Sequence, residues 1–462
     1  MRNFFHMAIG TAAFLVAFLG VFFLIGALLT VYLTQQPQSL SQNTTAEKIV
    51  IDYTAPTHKL NPMAIGMDIS GYRAPNVFVN DQNEQQKLKT LGIKYMRIDL
   101  KYTTPEDPTS TIICASTGCD YRWTGDQWIQ TMKAIGVEPL IMVSTSATDA
   151  ANMVKHFNKE TKNHVRYWVI GNEPDLAKIS EATYNSSFNQ DYDAMKAVDP
   201  TIKIGGGTTA WYNPSFLRKF LEACGSKVDF VDFHIYAQQG NAPGDYTALF
   251  RIAGDYGQSI NDLRSLIKEI VPTRASQIDI QVGEWELNWG GAAQDHINFH
   301  AVWTASVLGH ILSAGGKSLF YADKENALYG HEESITGPDG RIVNVKVDDT
   351  NPAYHGIGMF TGEQLFRGFG DTTVQTNTKI PNIEIYASDN PKNIVVINKD
   401  PSMTQTANIV LHGKTAETVD VWRKGETVPF TDPPIHIEPP SLLNGTFTYQ
   451  FPPLSVTTFV LN

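Results

Sequence analysis

The amino-acid sequence predicts an α/β protein: a (β/α)8 TIM barrel with a C-terminal all-β sandwich, preceded by one transmembrane helix. Three observations lead there. Eight short apolar strands alternate with helix-like segments through the middle of the chain. The following stretch holds only short strands between turn residues, and the N-terminus carries a long uncharged apolar run.

The barrel strands are read from "AIGMDIS", "IKYMRIDL", "VEPLIMVST", "VRYWVIGNE", "TIKIGGG", "VDFVDFHIY", "IDIQVGEW" and "GKSLFYAD". Between them lie segments such as "SFNQDYDAMKAVDP", in which Phe188, Tyr192, Met195 and Val198 recur at helical spacing and Asp-Pro marks a stop. Eight such units over about 270 residues suit a (β/α)8 barrel. A doubly wound open sheet would ordinarily place a Gly-rich phosphate loop after its first strand, and none is present. From about Asp348 onward, "NIEIYASD", "NIVVINKD", "TANIVLHG", "AETVDVWRKG", "GTFTYQFPP" and "SVTTFVLN" are strands separated by Asn, Gly, Asp and Pro, the grammar of a sandwich. "KIVIDY" before the barrel is expected to join that sandwich. The predicted divisions are an anchor over 1–35, a linker over 36–47, a sandwich strand over 48–60, the barrel over 61–347 and the sandwich over 348–462.

At the N-terminus, Met7 to Leu33 gives 27 residues without a charge, where about 20 suffice to span a bilayer. Arg2 is the only charge before it, so the N-terminus is expected in the cytoplasm and the body outside, tethered to the cell membrane by a single pass. Secretion after cleavage of a signal peptide is the alternative; a signal peptide's apolar region is ordinarily about 7 to 15 residues. Cys114 and Cys119 in "CASTGC" are close enough for a disulfide in an oxidising compartment, while Cys224 reads as a small buried apolar residue.

Composition narrows the function. With 42% hydrophobic and 18% charged residues the chain is globular rather than disordered. Net charge is -11 with scattered Lys and Arg, which disfavours nucleic acid and leaves a neutral or weakly charged ligand. No CxxC or HExxH motif argues for a metal, and "HEE" at His331 reads as a solvated loop. No cofactor is called for.

Chemistry in such a barrel lies at the carboxyl ends of the strands. Strand parity places Val165, Tyr167, Val169, Gly171 and Glu173 on one face of the fourth strand, and Ile278, Ile280, Val282 and Glu284 on one face of the seventh. His234 and Tyr236 from the sixth strand and Tyr95 and Arg97 from the second join them. Two desolvated carboxylates need partners or a task, and two across a bowl suit glycosidic cleavage: one protonates the leaving oxygen, the other attacks the anomeric carbon or activates water. Glu286 shares the parity of Glu284 and competes with it; Glu284 is preferred because it directly follows the apolar run. Loop aromatics Tyr121, Trp123, Trp128, Trp211, Tyr212 and Trp289 are candidates for sugar stacking or for the core. No GxSxG elbow supports a serine hydrolase.

"GNEP", "HIY", "VGEW" and the strand-2 arginine, in that barrel context, resemble clan A of the glycoside hydrolases. "WVIGNEPDL" is similar to the heparanase and β-glucuronidase families, and "GEW" to the arabinofuranosidases and β-xylosidases. The resemblance implies a retaining glycosidase that acts on oligo- or polysaccharides by double displacement, with Glu173 as acid/base and Glu284 as nucleophile. Asn172 would contact the sugar 2-hydroxyl, supported by Arg97, His234 and Tyr236. The last strand lacks the tryptophan that many clan members use as a sugar platform, so Tyr321 or Trp285 would take its place. A membrane-tethered carbohydrate-binding protein without catalysis is the alternative.

If Met7 to Leu33 is an uncleaved anchor, the mature protein fractionates with membranes and keeps its N-terminus; N-terminal sequencing of a soluble form beginning near Gln36 would contradict this.

Overall fold

The computed structural model describes residues 47–69, 78–79, 82–102, 111–115, 118–120, 123–238, 244–288, 297–322, 333–336, 342–345, 350–413, 416–425, 427–429 and 432–462. The predicted transmembrane helix, its linker up to residue 46, Tyr121, Trp289 and His331 lie outside them. Among the described residues no helix is long and apolar enough to cross a membrane.

The chain enters with strand β1 (Glu47–Lys59) and then alternates: β2 (Ile65–Asp68), α1 (Gln82–Leu91), β3 (Tyr95–Tyr102), a hairpin of β4 (Thr111–Ala115) and β5 (Gly118–Asp120), α2 (Gly125–Ala134), β6 (Glu138–Val143) and α3 (Ala147–Lys155). Next come β7 (Tyr167–Ile170), α4 (Glu181–Val198), β8 (Lys203–Thr209), α5 (Pro214–Cys224), β9 (Phe230–Gln238), α6 (Tyr246–Ile270), β10 (Asp279–Asn288), α7 (Asn298–Ser313) and β11 (Lys317–Tyr321). A second hairpin, β12 (Glu333–Thr336) and β13 (Ile342–Val345), precedes α8 (Pro352–Thr361).

Strands β2, β3 and β6 to β11 pair in parallel, and the ring closes between β2 and β3. Its interior is plugged by Tyr95, Leu140, Tyr167, Val169, Phe230 and Leu319. Lys317 sits among three of those rings, 5.2 to 5.4 Å from the centroids of Tyr95, Tyr167 and Phe230, with its ammonium 3.1 Å from Asp279. Cation–π attraction and one ion pair thus offset the burial of a charge in the barrel floor. The β4–β5 register sets Cys114 opposite Cys119. Cys224 is buried, and burial pushes its thiol up to about 12.

The helix α8 departs from the expected boundary at Asp348. It is the eighth barrel helix, with Pro352 in its first turn and Gly362 in the left-handed region at its end. Ala353 to Phe360 are buried throughout, so no amphipathic period advertised the helix in the sequence. Its packing explains this: α8 lies against α7 and against the strands of the second domain. Gly356 permits the close approach, since a Cβ there would stand 2.4 Å from the Ala301 carbonyl oxygen.

The β domain follows as β14 (Thr372–Thr378), β15 (Ile383–Asp389), β16 (Asn393–Asn398), β17 (Gln405–His412), β18 (Val419–Gly425), β19 (Ile435–Ile437), β20 (Thr446–Phe451) and β21 (Ser455–Leu461). Strand β1 pairs antiparallel with β14 and parallel with β17, which makes nine hydrogen-bonded strands. The sheet curls so that Phe447 and Tyr449 on β20 meet Phe459 on β21, six places away in strand order, at ring distances of 5.1 and 5.0 Å. The result is a sandwich with its own apolar core.

One buried polar knot joins the two domains. Glu384 on β15 accepts from Ser306 Oγ at 2.6 Å and Tyr386 OH at 3.0 Å; His310 of α7 and Lys399 stand at 3.2 and 2.7 Å. Burial alone would raise the Glu384 pKa, but the His310 hydrogen bond and the charges beside it outweigh that and hold it at about 2. A carboxylate with a depressed native pKa stabilises the fold above its ordinary pKa of 4.5 and loses that contribution as pH falls toward about 2. Glu384→Ala is therefore expected to cost roughly 3 kcal/mol at pH 7 by urea denaturation and to flatten the stability loss between about pH 4.5 and 2.

Candidate active site

At the carboxyl end of β7 the chain leaves the barrel through Gly171-Asn172-Glu173-Pro174. Gly171 has φ +81°, and a Cβ there would stand 3.0 Å from the Tyr184 ring. Glu173 has φ +45°, a costly conformation for a residue with a side chain. Its N–H donates to the Thr208 carbonyl at 2.8 Å, and its own carbonyl accepts from Ala177 at 3.0 Å. Those bonds hold the strained turn and set the Glu173 side chain over the end of the barrel, only partly buried.

Glu284 arrives by a different device. Simple alternation put Ile278, Ile280 and Val282, and Val165 before the fourth strand, toward the barrel interior; all four instead pack in the layer under the helices. A bulge at Gly283 corrects the parity, because Val282 pairs with Phe233 and Glu284 with His234, one residue on. The bulge needs glycine, since a Cβ at 283 would lie 2.1 Å from Asp232 Oδ1. Glu284 Oε2 accepts from Tyr236 OH at 2.8 Å and Oε1 lies 3.0 Å from Arg97 Nη1.

Arg97 is fully buried at the centre. Its Nη2 donates to Asn172 Oδ1 at 2.7 Å, while Asp68 and Asp99 stand 3.4 and 3.6 Å from Nη1 and Nε. Burial opposes the guanidinium charge, but Asp68, Glu284 and Asp99 more than offset it and raise its pKa. His234 bridges the acids: Nδ1 lies 3.0 Å from Glu173 Oε1 and 3.5 Å from Glu284 Oε2, and Nε2 is 3.1 Å from Arg97 Nη1. Burial pulls the imidazole pKa down, and Glu284 together with the Glu173 hydrogen bond reverses that to a net rise. Tyr236 is pushed well up by burial and then by Glu284, so it stays a donor.

One atom each from Glu173, His234 and Glu284 lie within 4.8 Å of one another. Such a trio has the donor types of a cation site, but the Arg97 guanidinium already holds Glu284, and His234 is engaged with Glu173. The arrangement is that of two carboxylates flanking a gap.

Tyr321 sits beside the site, edge-on to Tyr236 at 5.7 Å. Trp285 does not. It is fully buried, donates from Nε1 to Ser318 Oγ at 2.8 Å and packs on Tyr256, Trp303 and Phe320, because the bulge that turns Glu284 inward turns its neighbour outward. Glu286 is likewise occupied, bonded to His300 of α7. Of the loop aromatics, Trp128 is core, stacked on Phe78; Trp123 and Tyr212 are partly buried and packed against the core; Trp211 is exposed. Sequence reasoning missed Asp68, Asp99 and Asp232. Asp99 shares the parity of Arg97 two residues on, which was a usable signal, whereas Asp68 is recognisable only through its lateral register with Arg97.

A parallel eight-stranded barrel carrying an acid from the fourth strand and another from the seventh defines a clan A glycosidase. The chain belongs to a family within it: the model described as glycosyl hydrolases family 39 matches residues 149–388, which is 240 of 462 and includes both acids. No curated protein matches the sequence. Among solved structures, a GH51 arabinofuranosidase from Xanthomonas axonopodis pv. citri is similar at TM-score 0.71 and 13% identity over 90% of this chain and 100% of that one. A bifunctional glucanase-xylanase from a metagenome library reaches TM-score 0.67 at 16% identity, over 90% and 99%. A Paenibacillus polymyxa xyloglucanase from glycoside hydrolase family 44 gives 0.68 at 14%, over 90% and 99%. The enzyme is a glycosidase and its substrate a carbohydrate.

Gly283→Ala tests the bulge. The added methyl collides with Asp232 and displaces the following carboxylate, so activity is expected to fall by about 100-fold while circular dichroism still reports a folded barrel.

Proposed function

We propose that the protein is a retaining glycosidase that cleaves O-glycosidic bonds of oligo- or polysaccharides by double displacement. The observation that carries this reading is the closeness of the two acids, one oxygen of each within 4.8 Å of the other. Retaining enzymes hold their carboxyl groups about 5 to 5.5 Å apart, whereas inverting ones leave about 6.5 to 9.5 Å for a water.

The surroundings divide the roles. Glu284 is gripped at both oxygens, by Arg97 and Tyr236, so it is fixed in position to attack the anomeric carbon. Glu173 is held by His234 at one oxygen on a turn at the rim, where a proton can pass to the leaving oxygen and later be taken from water. Asn172, oriented through its Oδ1 by Arg97, retains its amide N–H groups for a sugar hydroxyl.

The two acids are expected to fail differently. Glu173→Ala should form the glycosyl-enzyme from dinitrophenyl glycosides at a near-normal rate and hydrolyse it slowly, with azide restoring turnover and giving a product of retained configuration. Glu284→Ala should lose activity toward every leaving group, and any azide product should be inverted. Proton NMR of the first-formed anomer distinguishes these outcomes; inverted sugar from the wild type would overturn the mechanism.

A further inference from the structure

Among the described residues seven large apolar side chains are exposed, and three of them, Leu176, Ile179 and Trp211, at 58%, 38% and 48%, lie on the two loops that follow β7 and β8. These loops adjoin Glu173. The first contains it, and the second is tied to the first by Asp175, two residues beyond Glu173. Asp175 accepts from the Ala210 N–H at 2.9 Å and from Asn213 Nδ2 at 3.1 Å. The Glu173 N–H is itself anchored on Thr208, at the end of β8.

Trp211 is therefore bracketed by fixed points. Ala210 before it is bonded to Asp175, Tyr212 after it packs edge-on against Phe233 at 5.4 Å, and Asn213 caps α5 by accepting from the Phe216 N–H. The backbone is held while the largest apolar side chain of the segment stays in water. Leaving such a surface exposed forgoes the hydrophobic stabilisation that burial would bring, and an exposed indole on a held backbone binds a flat apolar face at less ordering cost than one on a loose segment.

We propose that Trp211 is the stacking platform for the leaving-group sugar, the unit whose glycosidic oxygen receives the proton from Glu173. The occupant is a sugar ring presenting its C–H face, so the preferred substrate is a glycan of at least two units rather than a glycoside of a small alcohol. This rests on the glycosidase reading above, since the acid/base carboxyl lies on the side of the leaving group in any such cleavage. The loop tethered to its turn through Asp175 then flanks that side.

The test compares substrates that share a glycone and differ in leaving group: xylobiose against xylosyl fluoride, and cellobiose against glucosyl fluoride. Fluoride needs no proton and is too small to reach a platform. Trp211→Ala is expected to lower kcat/KM for the disaccharide roughly tenfold or more, to leave the fluoride within about twofold, and to be largely rescued by Trp211→Phe. Equal losses on both substrates, or no loss on either, would overturn the platform. The same pairing extends to arabinofuranosyl, galactosyl and glucuronosyl glycones; a wild type inert toward every pair would overturn the glycosidase reading and the platform with it, whereas an active wild type with an unselective Trp211→Ala sinks the platform alone.

Discussion

A single buried guanidinium organises the centre of this enzyme. Arg97 sits on β3 inside the barrel and touches side chains from four other strands or strand ends: Asp68 on β2, Asn172 after β7, His234 on β9 and Glu284 on β10. A charge without such partners would be too costly to bury, so the barrel must close before Arg97 is stable, and Arg97 must be in place before Glu284 is held. Lysine could not replace it, because a point charge cannot reach an amide on one side and carboxylates on others from a planar fork.

Around that centre the two acids are supplied by departures from regular strand geometry. Glu173 stands on a left-handed turn paid for by bonds to β8, and Glu284 follows a bulge that only glycine allows. Regular alternation would have sent Glu284 toward the helices. The same bulge sends Trp285 into the packed layer, which removes it as a sugar platform and leaves Tyr321, edge-on to Tyr236, as the aromatic at that end of the ring. Strain is thus concentrated where function needs side chains in positions a smooth strand does not offer.

The second domain is built into the same unit. Strand β1 reaches the barrel only after crossing the sandwich sheet, and α7 and α8 are buried on all sides because they form the layer between the domains. Glu384, with partners from α7 and from the sandwich, marks where the two meet. Helix α7 also carries His300, the partner of Glu286, and packs on β10 and β11, so the sandwich supports the face of the barrel behind those strands.

The sequence by itself determined the alternation of eight strands with helices and the change to an all-β grammar, because strands and amphipathic helices write their periods into local runs of residues. It also singled out Glu173, His234, Tyr236, Arg97 and Asn172, polar side chains that interrupt or end apolar runs. Tertiary structure alone decided the rest. Helix α8 was illegible because it is buried on every face, a consequence of neighbours distant in sequence. The bond that occupies Glu286 comes from His300 on another element, and the inward turn of Glu284 from a one-residue register shift against β9. A period read along one strand cannot register a bulge, since the bulge is defined by its partner strand.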